Sequence, residues 1–230
     1  PQNLTDLCNA VIKNKADAGF AIDPDADRLA LVSEIGVPLG EEYTLVVAAD
    51  GYLNERDKPE KFVVNLSTSI AIERLAESKG SSVERSSVGE INVVNKMNEI
   101  GSNFGGEGNG GVILRDCHLG RDSLVGATMI LNRMSQTEET LSQIYSSLPQ
   151  FKIVKDKINL KGIKSDKIIK VVSEKFKDAE KNTLDGVKFI WKDRWVHFRK
   201  SNTEPIMRIY AEAPDQKQAE DLVNKVKEII

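Results

Sequence analysis

The sequence predicts an α/β fold: a mixed, largely parallel sheet domain with crossover helices, followed by a small α+β C-terminal domain. Three patterns predict it. From Lys61 onward, short apolar runs alternate with amphipathic stretches, the order that places helices between parallel strands. Before that, two apolar runs, AGFAI at 18–22 and RLALV at 28–32, flank an Asp-rich hexapeptide as two strands flank a polar loop. After Gln150, the order becomes strand, helix, three strands and a last helix.

The elements follow in order. Leu4, Leu7, Cys8, Val11 and Ile12 share one face of an opening helix. Gly36, Pro38 and Gly40 punctuate a turn ahead of a helix over 41–54. The charged tract 54–61 lacks periodicity and reads as a linker, so the first part is bounded as 1–57. The second part, 58–149, begins with the strand KFVVNL, a helix containing Ile70, Ile72 and Leu75, and a glycine stop at Gly80. The strand SSVERS and a helix over 90–100 follow, then a glycine-dense loop at 101–111, the strand VILR and a helix over 121–134. LPQ at 148–150 marks the next boundary, and the third part, 150–230, ends in a helix whose stripe is Ala219, Leu222, Val223 and Val226.

Composition narrows the function classes. The first 150 residues carry 13 basic and 22 acidic side chains, the remainder 19 and 13, which suits a metal on one side and an anion on the other, or two solvated surfaces. The basic residues are dispersed lysines without aromatic platforms, which argues against nucleic acid. No apolar run approaches the roughly 20 residues that span a bilayer, and no basic-then-apolar leader opens the sequence, so no membrane and a cytoplasmic location are expected. Two cysteines, Cys8 and Cys117, fit a reducing compartment.

Three short segments carry chemistry. In DPDADR, Asp23, Asp25 and Asp27 can converge in a tight loop, and crowded carboxylates call for a hard divalent cation such as Mg²⁺. An EF-hand loop would also begin this way and would end at Glu34, but its sixth position is Arg28 rather than glycine and its flanks alternate like strands. An Asp-rich turn without metal is the plain alternative. GEGNGG at 106–111 has the spacing of a dinucleotide fingerprint, yet a strand rather than a helix follows it. Its glycines suit either a simple turn or close backbone approach to a ligand, with Glu107 and Asn109 offering polar groups to hydroxyls. In RKSNTEP, Arg199, Ser201, Asn202 and Thr203 can cradle an anion, with Arg208 nearby, or Arg199 can simply pair with Glu204 across a surface turn.

In their order and with their flanks, ADAGFAIDPDADR, VGEINVVNKM, FGGEGNGG and RKSNTEPIMRIYAEA, these motifs resemble the α-D-phosphohexomutase superfamily of phosphoglucomutase, phosphomannomutase and phosphoglucosamine mutase. The resemblance covers essentially the whole chain. It implies the end of domain 2 at 1–57, domain 3 at 58–149 and domain 4 at 150–230 of a four-domain enzyme. It also implies interconversion of hexose or hexosamine 1- and 6-phosphates through a phosphoserine and a 1,6-bisphosphate.

The implied roles are Mg²⁺ on Asp23, Asp25 and Asp27; support from Arg28; two sugar hydroxyls on Glu107, with Asn109 alongside; and the untransferred phosphate on Arg199, Ser201, Asn202, Thr203 and Arg208. The family's serine lies in a T/S-A-S-H-N-P-like loop that this sequence lacks, since Ser67 and Ser69 stand in NLSTSIA. The chain is therefore expected to be part of a longer enzyme and inactive alone, with a homo-oligomer or domain 3 covering any open sheet edge. Many members read G-E-x-S-G-H where this chain has Asn109 and Gly111, a form that resembles the phosphoglucosamine branch but also accompanies phosphomannomutases and phosphoglucomutases. A non-catalytic paralogue that binds sugar phosphates is the other reading.

Overall fold

The structure, a computed structural model, describes residues 3–159, 165–200 and 206–229. The chain forms two compact units, residues 1–149 and 150–230. No helix among the described residues is long and apolar enough to cross a membrane.

In the first unit, α1 (Thr5–Asn14) leads into the antiparallel hairpin of β1 (Ala18–Ile22) and β2 (Leu29–Ser33). Helix α2 (Glu41–Asn54) has the bounds that the sequence predicts, and it is buried all round from Glu42 to Leu53. Its sequence shows no single apolar stripe because it has no solvent face. It packs against β2, α3 (Ala71–Ser78) and α5 (Ser123–Ser135), so it precedes the division expected at 57/58 yet packs on a helix that follows it. A buried ion pair, Arg133 Nε to Asp50 Oδ2 at 2.5 Å, ties α5 to α2.

The four-stranded sheet has the order β4–β3–β5–β6, built from β3 (Lys61–Asn65), β4 (Ser82–Ser86), β5 (Phe104–Glu107) and β6 (Gly111–Leu114). β3 runs parallel to both β4 and β5, with α3 and α4 (Glu90–Ile100) as crossovers, while β5 and β6 are antiparallel. The sheet is mixed, as the sequence predicts. The glycine-dense segment differs from expectation: Phe104–Glu107 is a central strand, and only residues 108–110 remain as a turn. Glycine is required in the strand because a Cβ at Gly105 would lie 2.7 Å from both Met97 Sδ and the Val63 carbonyl. The short helix α6 (Leu141–Ser147), which the sequence reading leaves out, is held by a capping box between Thr140 and Gln143.

The second unit is a five-stranded antiparallel sheet, β7–β11–β10–β9–β8, with β7 (Lys152–Asn159), β8 (Glu180–Asn182), β9 (Val187–Ile190), β10 (Trp195–Lys200) and β11 (Ile206–Ala213). Helices α7 (Ser165–Lys175) and α8 (Gln216–Ile229) bury their apolar faces with Val187, Phe189, Val196, Phe198 and Ile209 in one core. The other face of the same strands carries Lys188, His197, Arg199, Arg208 and Lys157.

Candidate active site

The Asp-rich loop turns between β1 and β2 and closes on itself. Asp23 Oδ1 accepts the amides of Asp27 and Arg28, each at 3.2 Å, and Asp23 Oδ2 accepts Arg28 Nε at 2.7 Å. Burial alone would raise the Asp23 carboxyl, but these Arg28 and amide hydrogen bonds prevail and hold it below the ordinary carboxylate range. Ala26 sits at φ +60°, and its carbonyl accepts the Ser123 amide and hydroxyl at the start of α5. Asp27 turns the other way and forms a short ion pair with Arg121 Nη2. Burial and the neighbouring Asp23 charge push the Asp27 carboxyl up in spite of Arg121. Asp25 is exposed.

The three carboxylates therefore do not converge as the sequence reading expects, and among the described residues no three acidic, His or Cys side chains are poised around one metal position. The reason is electrostatic: two guanidinium groups, Arg28 and Arg121, occupy the carboxylates that would otherwise repel one another. The donors nonetheless suit a hard cation. They are all carboxylate oxygens, and Asp27 Oδ1 is a buried oxygen that accepts no hydrogen bond.

The glycine turn meets this loop directly. The Leu29 amide at the loop's exit donates to the Gly110 carbonyl at 3.0 Å. Gly110 has φ +92°, and a Cβ there would lie 2.4 Å from the Leu29 carbonyl, so only glycine permits the approach. A Cβ on Gly108 would overlap the Glu42 carboxylate, whose Oε2 accepts the Ser69 amide at 2.9 Å. Asn109 lines a cavity of about 260 Å³ together with Asp23, Arg28, Leu29 and Glu41, so the two loops face one space.

Glu107, at the end of β5, is 3% exposed. Its Oε1 accepts Asn65 Nδ2 at 2.6 Å and the Gly89 amide at 3.0 Å, and its Oε2 accepts Arg121 Nη1 at 2.7 Å. Gly89 caps α4, so the carboxylate also lies at that helix's positive end. A carboxylate offers about four lone-pair positions, and three are used, so one remains on a side chain that is otherwise closed in.

Arg121 is the residue that the sequence reading misses. Besides Asp27 and Glu107 it approaches Glu90 Oε2 at 3.3 Å through Nε, and its amide donates to Glu90 Oε1 at 2.8 Å. It stands just before Asp122, the N-cap of α5, whose Oδ1 accepts the Leu124 and Val125 amides. In the sequence, that position resembles any surface charge ahead of a helix.

In the second unit, Arg199 pairs with Asp185 at 3.4 Å, not with a residue of its own turn among those described. Register places Arg199 opposite Arg208, and Arg208 opposite Lys157, a row of three cations on adjacent strands. Arg208 and Lys157 line a cavity of about 320 Å³ with Lys155 and Tyr210. Ser201, Asn202 and Thr203 lie outside the described residues.

Comparisons with known proteins agree with the motif order. The family model described as "Phosphoglucomutase/phosphomannomutase, alpha/beta/alpha domain III" matches residues 40–151, and that of the same family's C-terminal domain matches residues 154–229. A "Probable phosphoglucosamine mutase" of Methanopyrus kandleri is 31% identical over all of this chain and 51% of its own length. A "Phosphoglucomutase/phosphomannomutase" of Thermococcus kodakarensis is 33% identical over 96% of this chain and 48% of its own. The crystal structure of a phosphoglucomutase/phosphomannomutase family protein from Burkholderia thailandensis superposes with a TM-score of 0.85, covering 100% of this chain and 49% of that one at 24% identity. The chain thus spans about half the length of the curated relatives it matches. Matched over domain III and the C-terminal domain, the chain belongs to the phosphoglucomutase/phosphomannomutase family of α-D-phosphohexomutases.

Proposed function

We propose that this chain supplies the metal loop, the sugar loop and the distal phosphate clamp of a mutase that moves a phosphoryl group between positions 1 and 6 of a hexosamine phosphate. The observation that carries the reading is the joining of the Asp loop and the glycine turn, through Leu29–Gly110 and Asp27–Arg121–Glu107, with Asp23 and Arg28 of the one and Asn109 of the other lining one cavity. A transferring phosphoryl group and the sugar that receives it must be held within a bond's reach of each other, and a shared cavity meets that need.

Asp23, Asp25 and Asp27 would hold Mg²⁺, which supplies positive charge to the transferring group. Arg28 keeps Asp23 in place. Glu107 and Asn109 take sugar hydroxyls, Glu107 through its remaining lone pair. Arg199, Arg208 and the residues Ser201, Asn202 and Thr203 grip the phosphate that stays. The row of cations supports this assignment, because an anion set between side chains of one sign on adjacent strands offsets their mutual repulsion. The phosphoserine and the bisphosphate intermediate belong to the same reading. The accepting serine stands outside this chain, so the 230 residues alone turn over no substrate.

Glucosamine 6-phosphate is the first substrate choice, in keeping with the GEGNGG turn and the Methanopyrus relative. Glucose or mannose phosphate is the alternative, favoured by the Thermococcus relative's name. Calorimetric titration of the chain with the three 6-phosphates, repeated with Arg199→Ala, tests the reading. Saturable binding of glucosamine 6-phosphate that the variant loses by tenfold or more is expected. Tighter binding of glucose or mannose 6-phosphate would select the alternative substrate, and no binding of any of them at millimolar concentration would sink the reading.

A further inference from the structure

We propose that Arg121 is a positioning residue that holds Asp27 in place of a divalent cation and gives it up when the cation binds, while keeping its grip on Glu107 of the sugar loop. The proposal rests on the reading of the Asp loop as a cation site, and on nothing about which sugar is bound.

Four observations carry it. The guanidinium spans two loops, with Nη2 on Asp27 and Nη1 on Glu107 Oε2 at 2.7 Å. Asp27 Oδ1 and Arg121 Nε are buried and make no hydrogen bond, each only approaching an opposite charge, Arg28 Nε at 3.5 Å and Glu90 Oε2 at 3.3 Å, so both side chains keep a loosely engaged atom in the cluster. The Arg121 backbone is anchored independently, by its amide on Glu90 Oε1 at 2.8 Å and by the N-cap at Asp122, so its side chain can release one partner without losing its place. Finally, Glu107 has Asn65 and Gly89 on its other oxygen, which keeps the carboxylate fixed while Arg121 moves.

The chemistry follows from charge. Arg121 and a divalent cation compete for one carboxylate, so each weakens the other's hold on Asp27. Because the fork reaches both loops, occupancy at Asp27 alters the charge presented to Glu107, and cation and sugar binding become linked.

The test is titration of the chain with Mn²⁺ alone, followed by electron paramagnetic resonance, for wild type, Arg121→Met and Arg121→Lys. Removal of the competing guanidinium is expected to tighten Mn²⁺ binding by about tenfold. A purely structural role predicts the opposite sign, because a loosened loop binds a cation less well. Lysine keeps the charge but lacks the fork that spans both carboxylates, so Arg121→Lys is expected to fall between the other two, and it serves alone if the methionine variant does not fold. Unchanged or weaker Mn²⁺ binding in folded Arg121→Met, or a lysine variant equal to wild type, would overturn the proposal. Absence of Mn²⁺ uptake by wild type and variants alike at millimolar concentration would overturn it too, while sugar-phosphate binding to wild type would still stand or fall separately.

Discussion

The two units hold their charges in opposite ways. In the first, Asp27, Glu90 and Glu107 converge on a single guanidinium, and each partner is drawn from a different part of the chain. In the second, Arg199, Arg208 and Lys157 are set side by side by strand register, with like charges facing like. The first arrangement is held by ion pairs between opposite charges and must be opened for a ligand to enter. The second gathers like charges on adjacent strands, with Arg199 also paired to Asp185, and gains when an anion bridges the row. One fold thus prepares two kinds of site, one by gathering opposite charges and one by gathering like charges.

The largest expected effect comes from breaking the cluster of opposite charges. Arg121→Met leaves Glu107, whose side chain is only 4% exposed, without its cationic partner. Loss of one member of a buried pair typically costs 3 kcal/mol or more, and about 3 kcal/mol is expected here in urea unfolding of the first unit. Arg28→Met should cost well under about 1 kcal/mol, because Arg28 is 45% exposed and its pair with Asp23 is screened by water. Equal losses for the two variants would show that the cluster around Arg121 is no more built than a surface ion pair.

The second unit has its own stability switch, of comparable size at most. His197 is buried, and desolvation pushes its pKa down to about 4 in spite of the hydrogen bond between Nε2 and the Asp185 carbonyl. In the unfolded chain the same imidazole titrates near 6.5, so the unfolded state takes up the proton first as pH falls. Stability from the neutral histidine is complete above about 6.5 and is lost between about 6.5 and 4, up to about 3 kcal/mol. Urea midpoints at pH 7 and pH 4.5 should show the loss, and His197→Gln should remove most of the pH dependence. A wild-type midpoint that does not fall by pH 4.5 would mean that His197 is hydrated or protonated in the folded state.

The same contrast explains what the sequence made legible. The bounds of α2 and α4 follow from punctuation by Gly40, Gly89 and Gly101, and the succession of elements in the second unit follows from its apolar runs, apart from the three-residue strand β8, which is missed. Local signals read local structure well. β5 is missed because its glycines look like a turn, and what makes them strand residues is the close packing of Met97 and Val63, neither adjacent in sequence. Helix α6 is missed although its capping box is written in Thr140 and Gln143.

Within the site, the Asp loop and Glu107 stand out as motifs, whereas Arg121 does not. Its partners lie 94, 31 and 14 residues away, and no periodicity or spacing rule connects positions that meet only through the tertiary fold. That is also why the carboxylates fail to converge as expected: charge counting along the loop sees three acids and Arg28 but not Arg121, which answers Asp27 from ahead of α5.

The smallest expected effect probes the row of cations. An anion that binds only the folded chain stabilises it by RT ln(1 + [L]/Kd), so inorganic phosphate at about ten times its Kd should add about 1.4 kcal/mol to the unfolding free energy of the second unit. Arg208→Met, which leaves Arg199 facing no second guanidinium, should lose most of that increment. Lys157→Met should lose less, because an ammonium meets phosphate as a point charge rather than as a planar fork. At the site of the first unit Arg28 and Arg121 already face carboxylates, so hydrogen exchange of the Gly89 amide should not slow on adding phosphate. Slowing there, with none in the strands β10 and β11, would place the anion in the first unit and reverse the assignment of the two regions.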